Sequence, residues 1–195
     1  MKKYSVKEIL LTAAFFGGFL AGILFTDLWG NTYLKENTFL SPENLVRVAR
    51  QEIDTQALFF YLLKHRGKCA LLLWLLGYTV VGIPAALLAL VWIGCSAGVF
   101  LSLFVVHMHL MGVLMFLAAV LPQALFYGPM VWLLVLDVYD RCAARYKSRR
   151  LSAELFRDSS GAKRFALLLA LFLAGVVLES SINPWLLTQA VNYFL

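Results

Sequence analysis

From Cys69 to Leu136 the sequence contains no Asp, Glu, Lys or Arg, a run of 68 residues without a charge. Charged residues are scarce elsewhere too: they make up 14% of the chain, against about 25% in an average soluble domain. A soluble helix this apolar would have no polar face to turn to water, so the run excludes an ordinary water-soluble core. Cysteine is nearly absent. Cys69, Cys95 and Cys142 are odd in number and never spaced as CxxC, which excludes a disulfide frame or a cysteine zinc site. There is no HExxH, no GxSxG, no P-loop lysine and no paired carboxylates. Without a nucleophile and its base the expectation is a protein that is not an enzyme and needs no cofactor.

What the chain does have is hydrophobic length. Mean hydropathy is +0.79 over 195 residues, the composition of a polytopic membrane protein. The uncharged run would stretch roughly 100 Å as one helix at about 1.5 Å per residue. A bilayer core is about 30 Å thick, so the run holds about three crossings. Gly82-Ile83-Pro84 and the His107-Met108-His109 polar spot divide it, because the residue before proline avoids helical backbone. Pro122 and Pro129 predict a kinked or broken helix further on. Crossings are expected at about 9–29, 68–82, 84–106, 110–136 and 165–182. The fold class is therefore all-α: a single membrane domain over 1–195, a bundle of about five transmembrane helices.

Two polar segments interrupt the bundle. In the first, Ser41-Pro42-Glu43 reads as a helix start, with a capping serine, a proline at the first helical position and an acid near the positive end of the dipole. Val46, Ala49, Ile53, Ala57 and Phe60 then recur at three- and four-residue spacing. This predicts an external amphipathic helix over about 42–65, whose apolar face either packs on the membrane domain or meets a partner. The second segment, 137–164, carries eight Arg and Lys against four acids. The positive-inside rule makes it a cytoplasmic loop. The N-terminus, with Lys2, Lys3 and Lys7, is cytoplasmic as well, and five crossings leave the C-terminus outside. The formal charge of +6 fits anionic membrane lipid; nucleic acid is not an expected partner, since the basic residues line no soluble surface.

Few residues stand out within the helices. Gly18 and Gly22, and again Gly94 and Gly98, place small faces for close helix packing. Glu179 is the one acid deep in an expected crossing. Intramembrane acids are costly and are functional candidates by default. With no second charged group in sight, the expectation is a structural role, bonded to nearby hydroxyls or backbone. His107 and His109 are two apart, on nearly opposite helix faces, and do not form a metal pair.

Three segments carry a family likeness. They are Trp74-Leu75-Leu76-Gly77 with Gly82-Ile83-Pro84, then Leu121-Pro122-Gln123 through Phe126 to Pro129, then Leu178-Glu179-Ser180 with Pro184. In order, they resemble the stage II sporulation protein M family, with its W-x-x-G and G-x-P elements and its L-P-H-G-x-F-E-x-P run. Gln123, Ala124 and Tyr127 stand where that run has His, Gly and Glu. The resemblance implies a multi-pass cell-membrane protein that acts as a scaffold in forespore engulfment. It also implies peptidoglycan hydrolases similar to stage II sporulation proteins D and P as partners. The sequence is compatible with a homo-oligomer. The rival reading is a small-molecule or ion transporter built on the proline-broken helix and Glu179. A transport path would place several polar groups at one depth.

Overall fold

The computed structural model describes residues 6–33, 54–147 and 159–194. Among these the chain is helical: α1 (Val6–Tyr33), α2 (Thr55–Leu76), α3 (Gly82–Lys147) and α4 (Ser159–Phe194). α3 is two helices in one, because His109 (φ 53°, ψ −128°) breaks it. Four stretches are long and apolar enough to cross a membrane: Val6–Leu28, Gly82–Val106, His109–Ala144 and Lys163–Leu186. A helical membrane bundle is the fold.

Several boundaries differ from the sequence expectation. Asp54 is the cap of α2: its backbone is extended (φ −65°, ψ 103°). Its carboxylate accepts from the amides of Gln56 at 2.9 Å and Ala57 at 3.2 Å. A helix starting at Ser41 and running unbroken to residue 65 is therefore excluded; residues 34–53, with Val46, Ala49 and Ile53, lie outside the described residues. The helix that Asp54 starts does not stop at the basic residues 64–66. It continues to Leu76 as one rod of 22 residues, replacing both the end of the amphipathic helix and the 68–82 crossing. The reversal falls on 77–81, where Tyr78 and Thr79 amides donate to Leu75 and Leu76. Gly82 and Pro84 open α3, where a proline in the first turn costs no hydrogen bond. Pro122 and Pro129 do not break the second limb of α3, and Pro184 does not end α4. A single missing amide leaves the rest of the ladder intact. The helix also runs on past 136 to Lys147, so the basic loop expected from 137 begins as helix.

The chain divides into two compact units, residues 1–51 with 87–118 and 187–195, and residues 52–86 with 119–186. In the first, α1 packs on the Gly82–Val106 limb backbone to backbone. A Cβ at Gly18 would overlap the Val91 carbonyl, and one at Gly22 that of Cys95. From the other side, Cβ atoms at Gly94 and Gly98 would overlap the Phe15 and Phe19 carbonyls. Position 15 meets 94 and 19 meets 98, while 18 meets 91 and 22 meets 95. Both numberings rise together, so the two helices run parallel. The turn at His109 is equally tight, since a Cβ at Gly112 would overlap the Phe104 carbonyl eight residues earlier. In one straight helix those residues would be about 12 Å apart.

In the second unit, α2 lies between the second limb of α3 and α4. Gly77 sits on Val138, and Gly82 faces the Cys142 side chain. Trp74 packs on Phe165 with ring centroids 5.5 Å apart, and Gly67 faces Phe172. α2 thus runs parallel to the second limb of α3 and antiparallel to α4.

The glycine contacts make a clear contrast. Gly18→Ala or Gly94→Ala forces the two backbones apart and is expected to lower stability by about 1–3 kcal/mol, the usual cost of overpacking. Gly17→Ala, with nothing within 4 Å of the added methyl, is expected to stay within about 0.5 kcal/mol, as surface changes do. Thermal unfolding of the three variants in one detergent checks this.

Candidate functional site: a polar cluster between three helices

Glu179 sits two-thirds of the way along the Lys163–Leu186 span, and its side chain is only 11% exposed. Leaving a carboxylate there without a partner would be prohibitive. Its partners come from the other two helices of the unit. The Arg66 guanidinium of α2 forms an ion pair with Oε1. The Tyr127 hydroxyl, from the second limb of α3, donates to Oε2 at 3.0 Å. Arg66 also lies over the Tyr127 ring, 4.6 Å from its centroid, an additional attraction between the cation and the ring face. Gln123, one turn before Tyr127, points its Oε1 at Arg66 Nη2 from 3.5 Å and donates its own amide to the Ala119 carbonyl at 3.2 Å.

Local sequence makes the room for this. A Cβ at Gly175 would lie 2.9 Å from the Tyr127 ring, so glycine one turn before Glu179 is what lets the tyrosine reach across. Phe172 flanks the same ring at 6.4 Å. Ser180 is buried and turns its hydroxyl back onto the Val177 carbonyl at 3.1 Å, leaving the carboxylate to Arg66 and Tyr127. Asn183 Oδ1, one turn past Glu179, is buried with no partner among the described residues.

A second charged group closes the other end of the unit. Arg141 is buried and pairs with Asp137 on its own helix. Its guanidinium lies 5.0 Å from the Trp74 ring and 4.6 Å from the Tyr78 ring. Next to it, the Cys142 thiol donates to the Thr79 carbonyl at 3.3 Å, fastening the α2–α3 turn. Between the two ends, α2, α3 and α4 enclose an apolar groove of about 270 Å³ lined by Leu63, Gly67, Trp74, Met130, Phe165 and Phe172, among others.

Trp74–Pro84, Leu121–Pro129 and Leu178–Pro184 each contribute to these contacts. A model of the stage II sporulation protein M family matches residues 11–184. The chain belongs to that family. No curated protein and no solved structure gives a significant match. Leu121–Pro129 and Leu178–Pro184, far apart in sequence, meet in space through Tyr127 and Glu179. Gln123 and Tyr127 both contact Arg66 from the second limb of α3, and Glu179 comes from the last segment. The chain is a multi-pass membrane protein of a sporulation-related family.

The sequence reading of Glu179 is corrected by this geometry. It bonds not to local hydroxyls but to an arginine 113 residues away. Arg66 carries no direct signal of this role in the sequence alone, since it falls just past the amphipathic helix expected over 42–65. The available signal is the absence of proline between Asp54 and Gly77, which carries Arg66 into the middle of a helix. Of the expected partner surface, Ala57 and Phe60 lie in the first two turns of α2 and are exposed. Gly18, Gly22, Gly94 and Gly98 come together in the first unit, away from this cluster in sequence and in unit.

Replacing Arg66 by Leu strands a buried carboxylate and is expected to cost about 3–5 kcal/mol, whereas the Arg66→Leu/Glu179→Leu pair should recover most of that loss. A double-mutant cycle on detergent-solubilised protein checks this. Additive effects of the two single changes would mean that the pair is not coupled.

Proposed function

We propose that this protein is a non-enzymatic membrane scaffold that holds peptidoglycan-degrading partners at the cell membrane during forespore engulfment. The observation that supports it best is the closure of the polar cluster. Arg66, Tyr127 and Glu179 satisfy one another across three helices. Such a network fixes helices against each other and leaves the outer ends and faces to do the binding. The partners would be hydrolases similar to stage II sporulation proteins D and P, as family membership suggests, and Ala57 and Phe60 belong to the surface that would meet them.

The orientation that goes with this reading is N-terminus cytoplasmic and C-terminus outside. Its support is geometric. α1 and the Gly82–Val106 limb run parallel, so the chain must return across the membrane between them, and α2 is the described helix in that stretch. α2 fails as an apolar span because Lys64, His65, Arg66 and Lys68 fall within it. Five crossings place the basic residues of 145–164 on the same side as Lys2, Lys3 and Lys7, in keeping with the positive-inside rule.

A second reading, a transporter for an ion or small molecule, has one observation in its favour. Four polar side chains, Arg66, Gln123, Tyr127 and Glu179, meet at one depth, with the unpartnered Asn183 Oδ1 one turn on.

Purification of the tagged protein from sporulating cells in mild detergent is expected to recover wall hydrolases in near-stoichiometric amount, and Phe60→Ala to lower that recovery several-fold while insertion is unchanged. A preparation free of hydrolases would overturn the scaffold. Solute flux into reconstituted vesicles that Glu179→Gln abolishes would establish the transporter in its place.

A further inference from the structure

α2 has two contrasting faces. Leu63, Gly67, Ala70, Leu71 and Trp74 line the groove against α3 and α4. On the adjoining face, Ala57, Tyr61, Lys64, Lys68 and Leu75 are all exposed. They follow steps of four, three, four and seven residues, the seam along which one helix receives another. The two central positions of that seam are lysines, and neither has an ion-pair or hydrogen-bond partner among the described residues.

Their depth makes this a problem the protein must solve. Gly67, beside Lys68, faces Phe172. Phe172 lies nine residues from Lys163 and fourteen from Leu186, the ends of its span. At about 1.5 Å per residue that is about 14 and 21 Å from the two ends of that apolar span. A lysine arm at that depth falls short of the headgroups, and a bare ammonium in hydrocarbon is strongly disfavoured. Two lysines four apart on one face also repel each other. A phospholipid headgroup cannot come to that depth without thinning the bilayer. A second copy presenting the same face would set lysine against lysine. An acidic side chain on another protein's membrane-spanning helix meets both needs: it neutralises the pair and lies in the seam.

We infer that the outer face of α2 is an intramembrane docking surface for a partner protein's transmembrane helix, one that carries a carboxylate opposite Lys64 and Lys68. The inference rests on the scaffold reading for the partner's role but not for its chemistry. The apolar ends of the seam, Ala57 and Tyr61 on one side and Leu75 on the other, give contact area. The lysines choose the partner, since an unmatched helix would leave both charges in contact with apolar side chains.

The test uses the full-length protein in phosphatidylcholine vesicles. The probe is a fluorescent Leu/Ala transmembrane peptide with one central Glu, compared with its Gln and Lys counterparts. The Glu peptide is expected to bind about tenfold more tightly than the Gln peptide, the scale of interhelical polar contacts in bilayers. The Lys peptide should not bind. Lys64→Leu/Lys68→Leu, which makes α2 more apolar and so keeps it inserted, should abolish the preference. Equal binding of the three peptides, or a preference that survives in the double variant, overturns the inference. So does a photocrosslinker at Leu75 in the native membrane that captures only this chain's own helices, a second copy or lipid. Hydrolase co-purification separates the two readings. If hydrolases stay bound to the double variant and the peptides do not discriminate, the docking surface falls and the scaffold stands. If the Glu peptide binds selectively but no hydrolase is recovered from cells, the scaffold falls and the docking surface stands.

Discussion

A charge inside a bilayer has to be answered by another charge, and the second unit is built around one such answer. Glu179 on α4 and Arg66 on α2 are each intolerable alone at that depth, and together they are tolerable only if geometry is fixed. Tyr127 fixes it, donating to the free carboxylate oxygen and supporting the guanidinium with its ring. Gly175 is then required, because any larger residue would fill the space the tyrosine occupies. Gln123 follows from the same logic, as the acceptor that takes a further Arg66 proton from within α3. One ion pair thereby accounts for the residue types at three other positions on two helices.

The first unit solves its packing without charge. Hydrocarbon offers no hydrophobic drive for one apolar helix to leave lipid for another, so association depends on how closely backbones can approach. Glycine at 18, 22, 94 and 98 allows that approach, each against a carbonyl of the opposite helix. The two units therefore use the two means available in a membrane, polar glue in one and small-residue contact in the other. The His109 turn shows the same economy of space. With φ at 53° a non-glycine residue takes a conformation that glycine adopts freely, and Gly112 lets the second limb start almost in contact with Phe104.

Legibility in the sequence followed the physics of each feature. The uncharged run and the glycine pairs depend only on composition and on three- and four-residue spacing, and both could be read directly. The start of α2 was also written locally, in Asp54 followed by Gln56 and Ala57, but Ser41-Pro42-Glu43 offered a stronger local signal upstream and drew the boundary away. The cluster was not legible as a cluster. Gln123, Tyr127 and Glu179 were each conspicuous as parts of motifs, yet their meeting depends on Arg66, whose depth is set by tertiary packing. A count of charges treats Lys64, Arg66 and Lys68 alike as signs of an interface. Only the neighbouring helix distinguishes the arginine that faces a carboxylate from the lysines that face outward.

That distinction changes what a charged transmembrane helix means for this family member. If α2 were held only by its inner face, three lysines and arginines in one crossing would oppose insertion, and Arg66 alone would be compensated. In the proposed five-crossing arrangement α2 is nevertheless the return crossing between α1 and the Gly82–Val106 limb, which run parallel. The cost of Lys64 and Lys68 must then be met by something that lies against the outer face of α2, and the cheapest candidate in free energy is a helix that brings opposite charge with it. On the proposed scaffold reading, a docking helix that is uncomfortable until occupied would discriminate among partners before any extramembrane contact is made. The same residues that make α2 look unlike a membrane helix are in this view the reason it belongs in one.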